Sequence, residues 1–167
     1  MNKQTEAVLC RTAGQIFEDL GFILSSREIS QEQKNSPLAA TVSVAFRGPF
    51  AGNLLIRIYG KVVPALASNM LGDDSAPSEE MQQDALKEIA NVICGNLLPA
   101  IAGSSHVFDL DAPVVYHDPA AAAAAIRGNL AARANLGLDY GRAEIELFCS
   151  EGAGIWAAIP GLPPPKA

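Results

Sequence analysis

Between Ser78 and Gly103 runs a long helical pattern, and it dictates what the rest of the chain has to supply. At about 100° per residue, Met81, Ala85, Leu86, Ile89, Ala90, Val92, Ile93 and Leu97 fall on one broad face. Ser78 can cap the first turn, Glu79 and Glu80 suit the positive end of the helix dipole, and Gly103-Ser-Ser ends the pattern at about Ile101. A helix of this kind must lay its apolar face on a second layer of structure.

Strands with one apolar side can supply that layer. Thr41 to Phe46 alternates Val42, Val44 and Phe46 with smaller partners. Leu54, Ile56 and Ile58 repeat the alternation beyond the turn formers Arg47-Gly-Pro-Phe-Ala-Gly52, which predicts an antiparallel hairpin. Arg142 to Cys149 alternates again, and Gly154 to Ile159 is the expected partner strand, ahead of a Pro-rich tail. A helix over Thr5 to Leu20 follows from Val8, Leu9, Thr12, Ile16, Phe17 and Leu20, with Gly21 as its stop, and another is expected over Val62 to Leu71. Phe22 to Ile29 is short and apolar, Ser30-Gln-Glu-Gln-Lys-Asn-Ser-Pro37 reads as a polar loop, and Val107 to Tyr116 reads as extended around Pro113. Asp118-Pro119 with the six alanines behind it is either a capped short helix or a biased insert. The expected architecture is α/β, an antiparallel β-sheet packed against long α-helices. Residues 1–160 make a single domain in this reading, and residues 161–167 a flexible tail.

Composition removes whole classes of function. A chain of 167 residues with 49% apolar side chains can withdraw roughly 70% of its unfolded surface from water, so it folds as one unit and is too short for a multidomain enzyme. Twelve basic against eighteen acidic residues give a net charge of -6 with no Lys/Arg cluster, so nucleic acid is not an expected partner. Glu6, Arg11, Glu18 and Asp19 interrupt the N-terminal stretch, which therefore reads as neither a secretory signal nor a membrane span; a cytoplasmic location with no membrane partner is expected. Cys10, Cys94 and Cys149 form no CxxC pair and read as reduced thiols. His106 and His117 stand near Asp109, Asp111 and Asp118 without a ligand spacing, so no metal site is expected. P-loop, GxGxxG, GxSxG and HExxH motifs are all missing.

Chemistry concentrates on the far side of the long helix. Asp84, Glu88, Asn91 and Gly95, spaced by four, three and four residues, stack along one narrow stripe. Composition alone makes this the solvated side of an amphipathic helix. Asn96, in contrast, projects onto the apolar face, where an unsatisfied amide would cost about 1–3 kcal/mol, and reads as a structural residue bonded to backbone.

Asp84-x3-Glu88-x2-Asn91 with Pro113 downstream resembles the signature of the CheC/CheX/FliY chemotaxis phosphatases, an Asp or Ser, then Glu, then Asn, with a later proline. Asp-Ala-Leu-Lys-Glu-Ile-Ala-Asn-Val-Ile-Cys-Gly-Asn-Leu-Leu98 is similar to the CheX form of that helix. Pro49-Phe-Ala-Gly-Asn-Leu-Leu-Ile-Arg-Ile58 and Ala67-Ser-Asn-Met-Leu-Gly72 resemble the hairpin and helix before it. The likeness spans about Phe46 to Val115, with weaker agreement over the terminal strands.

The resemblance implies a two-component signalling enzyme that removes the phosphoryl group from the aspartyl phosphate of a CheY-like response regulator. Such an enzyme carries no cofactor of its own, because the phosphorylated regulator brings the phosphoaspartate, the Mg²⁺ and a lysine. It implies further that Asn91 holds the attacking water, whose positioning needs a donor and an acceptor together. Glu88 docks on the regulator's lysine, Asp84 stands at the rim of the contact, and Gly95 admits a close approach. Pro113 shapes the chain and does not touch substrate. CheC-type chains carry the motif twice, whereas the first helix here offers Glu18-x2-Gly21 without an Asn, which implies one active centre per chain. That suits CheX, a family of homodimers whose sheet continues across the interface. The stretch from Ala120 to about Asn135 departs from the family's hairpin-like segment. A catalytically silent adaptor that docks on a receiver is the alternative reading.

Overall fold

A computed structural model describes residues 3–72 and 75–150. The elements follow in the order α1 (Lys3–Gly21), β1 (Ser25–Ser26), α2 (Gln31–Lys34), β2 (Leu38–Arg47), β3 (Gly52–Gly60), α3 (Val62–Leu71), α4 (Glu79–Ala102), β4 (Asp109–Leu110), β5 (Val114–Tyr116), α5 (Pro119–Ala125), β6 (Asn129–Leu138) and β7 (Gly141–Cys149). The strands form one antiparallel sheet in the order β1-β6-β7-β3-β2-β4, with β5 also paired to β2. The fold is the expected α/β arrangement, with α1, α3 and α4 gathered on one face of the sheet.

The alternation of apolar residues settles which side of each strand meets the helices. Val42, Val44 and Phe46 of β2 pair with Ile56, Leu54 and Gly52 of β3, and Ile56 and Leu54 pair in turn with Ile145 and Leu147 of β7. These side chains are buried against Leu9, Ala13 and Phe17 of α1, Leu66 of α3, and Leu86, Ile89 and Ile93 of α4 in one continuous core. Helix α1 covers the β6 end of the sheet, α4 covers β2 and β5, and α3 packs against both helices. Among the described residues α4 is the one helix long and apolar enough to cross a membrane. Eight of its residues are buried, and it serves here as a core helix.

Two expectations need correction, and a third point that the sequence leaves open is decided. The partner of β7 on its outer side is β6, Asn129–Leu138, and β3 lies on the other side. Both neighbours of β7 are thus filled from within the described residues; Gly154 to Ile159, like residues 161–167, lies outside them. The polar stretch after Ile29 holds α2, a single turn closed by a capping box in which the Ser30 side chain accepts from the Gln33 N–H and the Gln33 side chain accepts from the Ser30 N–H. Of the two readings of the alanine run the helix is correct: Asp118 caps α5 by accepting from the Ala120 N–H, Pro119 opens the helix, and Ala122 is buried.

The sheet face turned away from the helices carries a row of charge. Glu146, 4% exposed, accepts from Arg57 at 2.6 Å and from Arg133 at 2.5 Å. Glu144 pairs with Arg57 at 3.5 Å and with Arg142 at 3.7 Å, and Arg142 lies 3.5 Å over the Tyr59 ring. Burial alone pushes the Glu146 carboxyl up, but the hydrogen bonds and positive charge of Arg57 and Arg133 outweigh it and hold the group below its ordinary 4.5. Its contribution to stability is therefore complete above that ordinary value and is lost as pH falls through the lower folded value. Glu146→Gln is expected to cost about 1–3 kcal/mol near neutrality. Urea unfolding from pH 7 down to pH 3 should show the parent losing stability more steeply than the variant; parallel curves would remove Glu146 from the acid response.

Candidate functional site

The stripe predicted on the long helix is present and faces outward. Asp84, Glu88, Asn91 and Gly95 are all exposed, while Ala85, Leu86, Ile89, Ala90, Ile93, Cys94, Leu97 and Leu98 are buried. Ser78 fixes the start of α4 by accepting from the Met81 N–H at 3.2 Å, and Gly103 closes it by donating its N–H to the Pro99 carbonyl at 2.9 Å. The sheet and α1 then hold the helix from beneath, so the stripe has a rigid base. Two edges of the apolar face differ from expectation: Val92 is half-buried and Met81 is exposed, because both lie at the margin of the face and not over the sheet.

Asn96 is also a correction. It is exposed, not seated in the apolar face, although its amide does bond backbone, donating to the Val92 carbonyl one turn earlier at 2.8 Å. That bond turns the side chain onto its own helix and satisfies it without help from the core. Pro113 is half-buried between β4 and β5. Both short strands pair with β2, and a residue without an N–H separates them.

Among the described residues, Asp84, Glu88 and Asn91 have no side-chain hydrogen bond or ion pair within the chain. A carboxylate and an amide one turn apart thus stand ready for groups from outside. The amide offers both a donor and an acceptor at any physiological pH, which suits it to orient water, and the carboxylate suits a cation. Burial pushes the thiols of Cys94 and Cys149 up to about 12, so these two cysteines behave as apolar side chains and not as nucleophiles. His106 and His117 are exposed, and among the described residues no group of three or more His, Cys, Asp or Glu stands together.

Two neighbours of the stripe escaped the sequence reading. A methyl placed on Gly95 would lie 4.0 Å from Leu110 of β4, so a residue distant in sequence borders the stripe. The pairing of β4 with β2 creates that contact, and nothing in the local sequence announces it. Pro99, inside α4 and four residues after Gly95, was legible: a proline there has no N–H for the Gly95 carbonyl.

A family model described as "Chemotaxis phosphatase CheX" matches residues 40–131, a span that includes the whole stripe. Solved structures share the fold. The chemotaxis protein CheX from Vibrio vulnificus is 18% identical with a TM-score of 0.65, over 88% of this chain and 97% of that one. A putative chemotaxis protein from Desulfovibrio vulgaris Hildenborough is 14% identical with a TM-score of 0.64, over 88% and 97%. The CheX chain of a CheX-CheY-BeF3-Mg²⁺ complex from Borrelia burgdorferi is 15% identical with a TM-score of 0.57, over 87% and 97%. No curated protein matches.

Proposed function

The chain belongs to the CheX family of chemotaxis phosphatases, and on that premise we propose that it hydrolyses the aspartyl phosphate of a CheY-like response regulator, with Asn91 and Glu88 as its working residues. The observation that carries the reading is the pair itself: an amide and a carboxylate, one turn apart, exposed on a helix whose opposite face is locked into the core. Such a ridge can enter a shallow site on another protein without deforming.

An acyl phosphate needs a water in line with the leaving carboxylate and neutralisation of the charge that builds on the phosphoryl oxygens. The receiver supplies the phosphoaspartate, its Mg²⁺ and a lysine; Mg²⁺ accompanies CheY in the Borrelia complex. What this chain adds is position. The Asn91 amide accepts from the attacking water and donates toward the phosphoryl group, holding nucleophile and electrophile in one geometry. Glu88, nearer the N-terminal end, pairs with the receiver's lysine and fixes how far the ridge enters. Asp84 lies a further turn back, at the rim, since a negative charge close to the phosphoryl group would be repelled. Gly95 lets the partner's backbone come near.

The test is to mix the protein with a phosphorylated CheY-like receiver and follow the label. Loss faster than the receiver's own decay supports the phosphatase reading. Binding without acceleration would make the protein an adaptor. A homodimer belongs to the same proposal. The described sheet ends in β1 and in β4 with β5, strands of two or three residues, and a second copy would cover such an edge. Sedimentation at micromolar concentration is expected to give twice the mass of one chain. A strict monomer would remove the dimer and leave the catalytic proposal standing.

A further inference from the structure

Eleven glycines lie among the described residues, and ten have a reason within the fold. Gly60, Gly72, Gly103 and Gly128 have positive φ. At Gly14, Gly21, Gly48, Gly52, Gly137 and Gly141 an added methyl would meet a neighbouring atom at 2.7 Å or less. Gly95 has neither reason: it sits in the body of α4, it is exposed, and a methyl there would find only Leu110, at an ordinary contact distance. A glycine inside a helix destabilises it relative to alanine, so this one is unfavourable and unexplained by its own fold.

Pro99 disturbs the same point of the helix. An α-helical carbonyl accepts from the N–H four residues later, and the residue four after Gly95 is proline. The Gly95 carbonyl therefore loses its helical donor, and the pyrrolidine ring pushes it away from the ladder. Two local costs fall on one turn, immediately past Asn91 and on the solvent side of the ridge, with half-exposed Leu110 as an apolar wall beside it.

We propose that the Gly95 carbonyl is a third recognition element: a backbone acceptor, bared by the missing side chain and released by Pro99, that takes a hydrogen bond from an N–H of the phosphorylated receiver. The proposal rests on the reading of the ridge as the receiver-docking surface and names what the receiver must present there. Glu88 requires a cation, Asn91 a phosphoryl group with its water, and Gly95 a neutral donor beside an apolar group that meets Leu110. A donor placed at this end of the ridge and a cation at the other fix the direction in which the receiver lies along α4.

Pro99→Ala gives the Gly95 carbonyl its helical N–H again. The expected result is a higher melting temperature together with about tenfold weaker binding of a beryllofluoride-loaded CheY-like receiver, the size of losing one good interface contact. The opposite signs matter, because a merely structural proline would move stability and leave affinity alone. Unchanged affinity in the folded variant overturns the proposal. In the parent protein, the ¹³C carbonyl resonance of Gly95 should move downfield when the receiver binds, and this measurement answers the question even if Pro99→Ala does not fold. A complex that forms without moving that resonance sinks the Gly95 contact while sparing the phosphatase reading. Failure of the parent to bind any phosphoreceiver mimic would sink both.

Discussion

Asn91→Ala is expected to lower hydrolysis of the receiver's phosphoaspartate by at least an order of magnitude, on the order of 1.4 kcal/mol or more of transition-state stabilisation, while binding to the beryllofluoride-loaded receiver stays within about twofold of the parent. The asymmetry follows from what the amide is proposed to do. Ordering a water toward phosphorus matters in the transition state and contributes little to the resting complex. The Asn91 side chain also has no hydrogen bond within the described residues, so its truncation removes no contact from the fold. Single-turnover decay of labelled receiver, set beside a titration with the beryllofluoride form, reads both quantities. A variant that hydrolyses as fast as the parent would show that the water is placed by another group.

Glu88→Ala should behave differently, weakening binding and hydrolysis together. A carboxylate paired with the receiver's lysine loses water on docking, and its removal leaves that lysine buried without a partner, at a cost of about 2–5 kcal/mol. Both assays should therefore fall by similar factors, and Asp84→Ala, at the rim, should be the mildest of the three changes. Glu88→Gln separates charge from shape: it keeps the length of the side chain and should recover only part of the affinity. If Glu88→Ala binds normally yet hydrolyses slowly, the carboxylate acts on the chemistry and the assigned roles must be exchanged.

The stripe was legible because helical periodicity is a local property. Once Ser78 and Gly103 bound the helix, the angles of Asp84, Glu88, Asn91 and Gly95 follow from their spacing alone, and the sheet beneath obeys the same logic through Val42, Val44, Leu54 and Ile56. Strand β6 was hidden for a physical reason. Half of its inward set, Ala132, Ala134, Leu136 and Leu138, is alanine, a weak strand former, and the bulge between Leu130 and Ala132 that sets its register against β7 arises from the pairing itself. Asn96 shares the helical angle of Ile89 but not its burial, because the apolar face extends less far around α4 at that level. Leu110 reaches Gly95 only through the pairing of β4 with β2, a contact that no sequence window contains.

The charged row on the far side of the sheet also restricts how the chain can assemble. In the native pairing Arg57 stands opposite Glu144 and Arg133 opposite Glu146, with β7 between the two arginine strands. If β7 slid by two residues in one direction, the apolar side would still face the helices, but Arg57 would meet Arg142. Sliding the other way would bring Arg57 to Glu146 and leave Arg133 facing Phe148. Each misalignment that hydrophobic burial would tolerate thus breaks a charge pair on one flank or the other. The central strand is keyed from both sides, and the β6–β7 hairpin can be proofread by β3 as it docks.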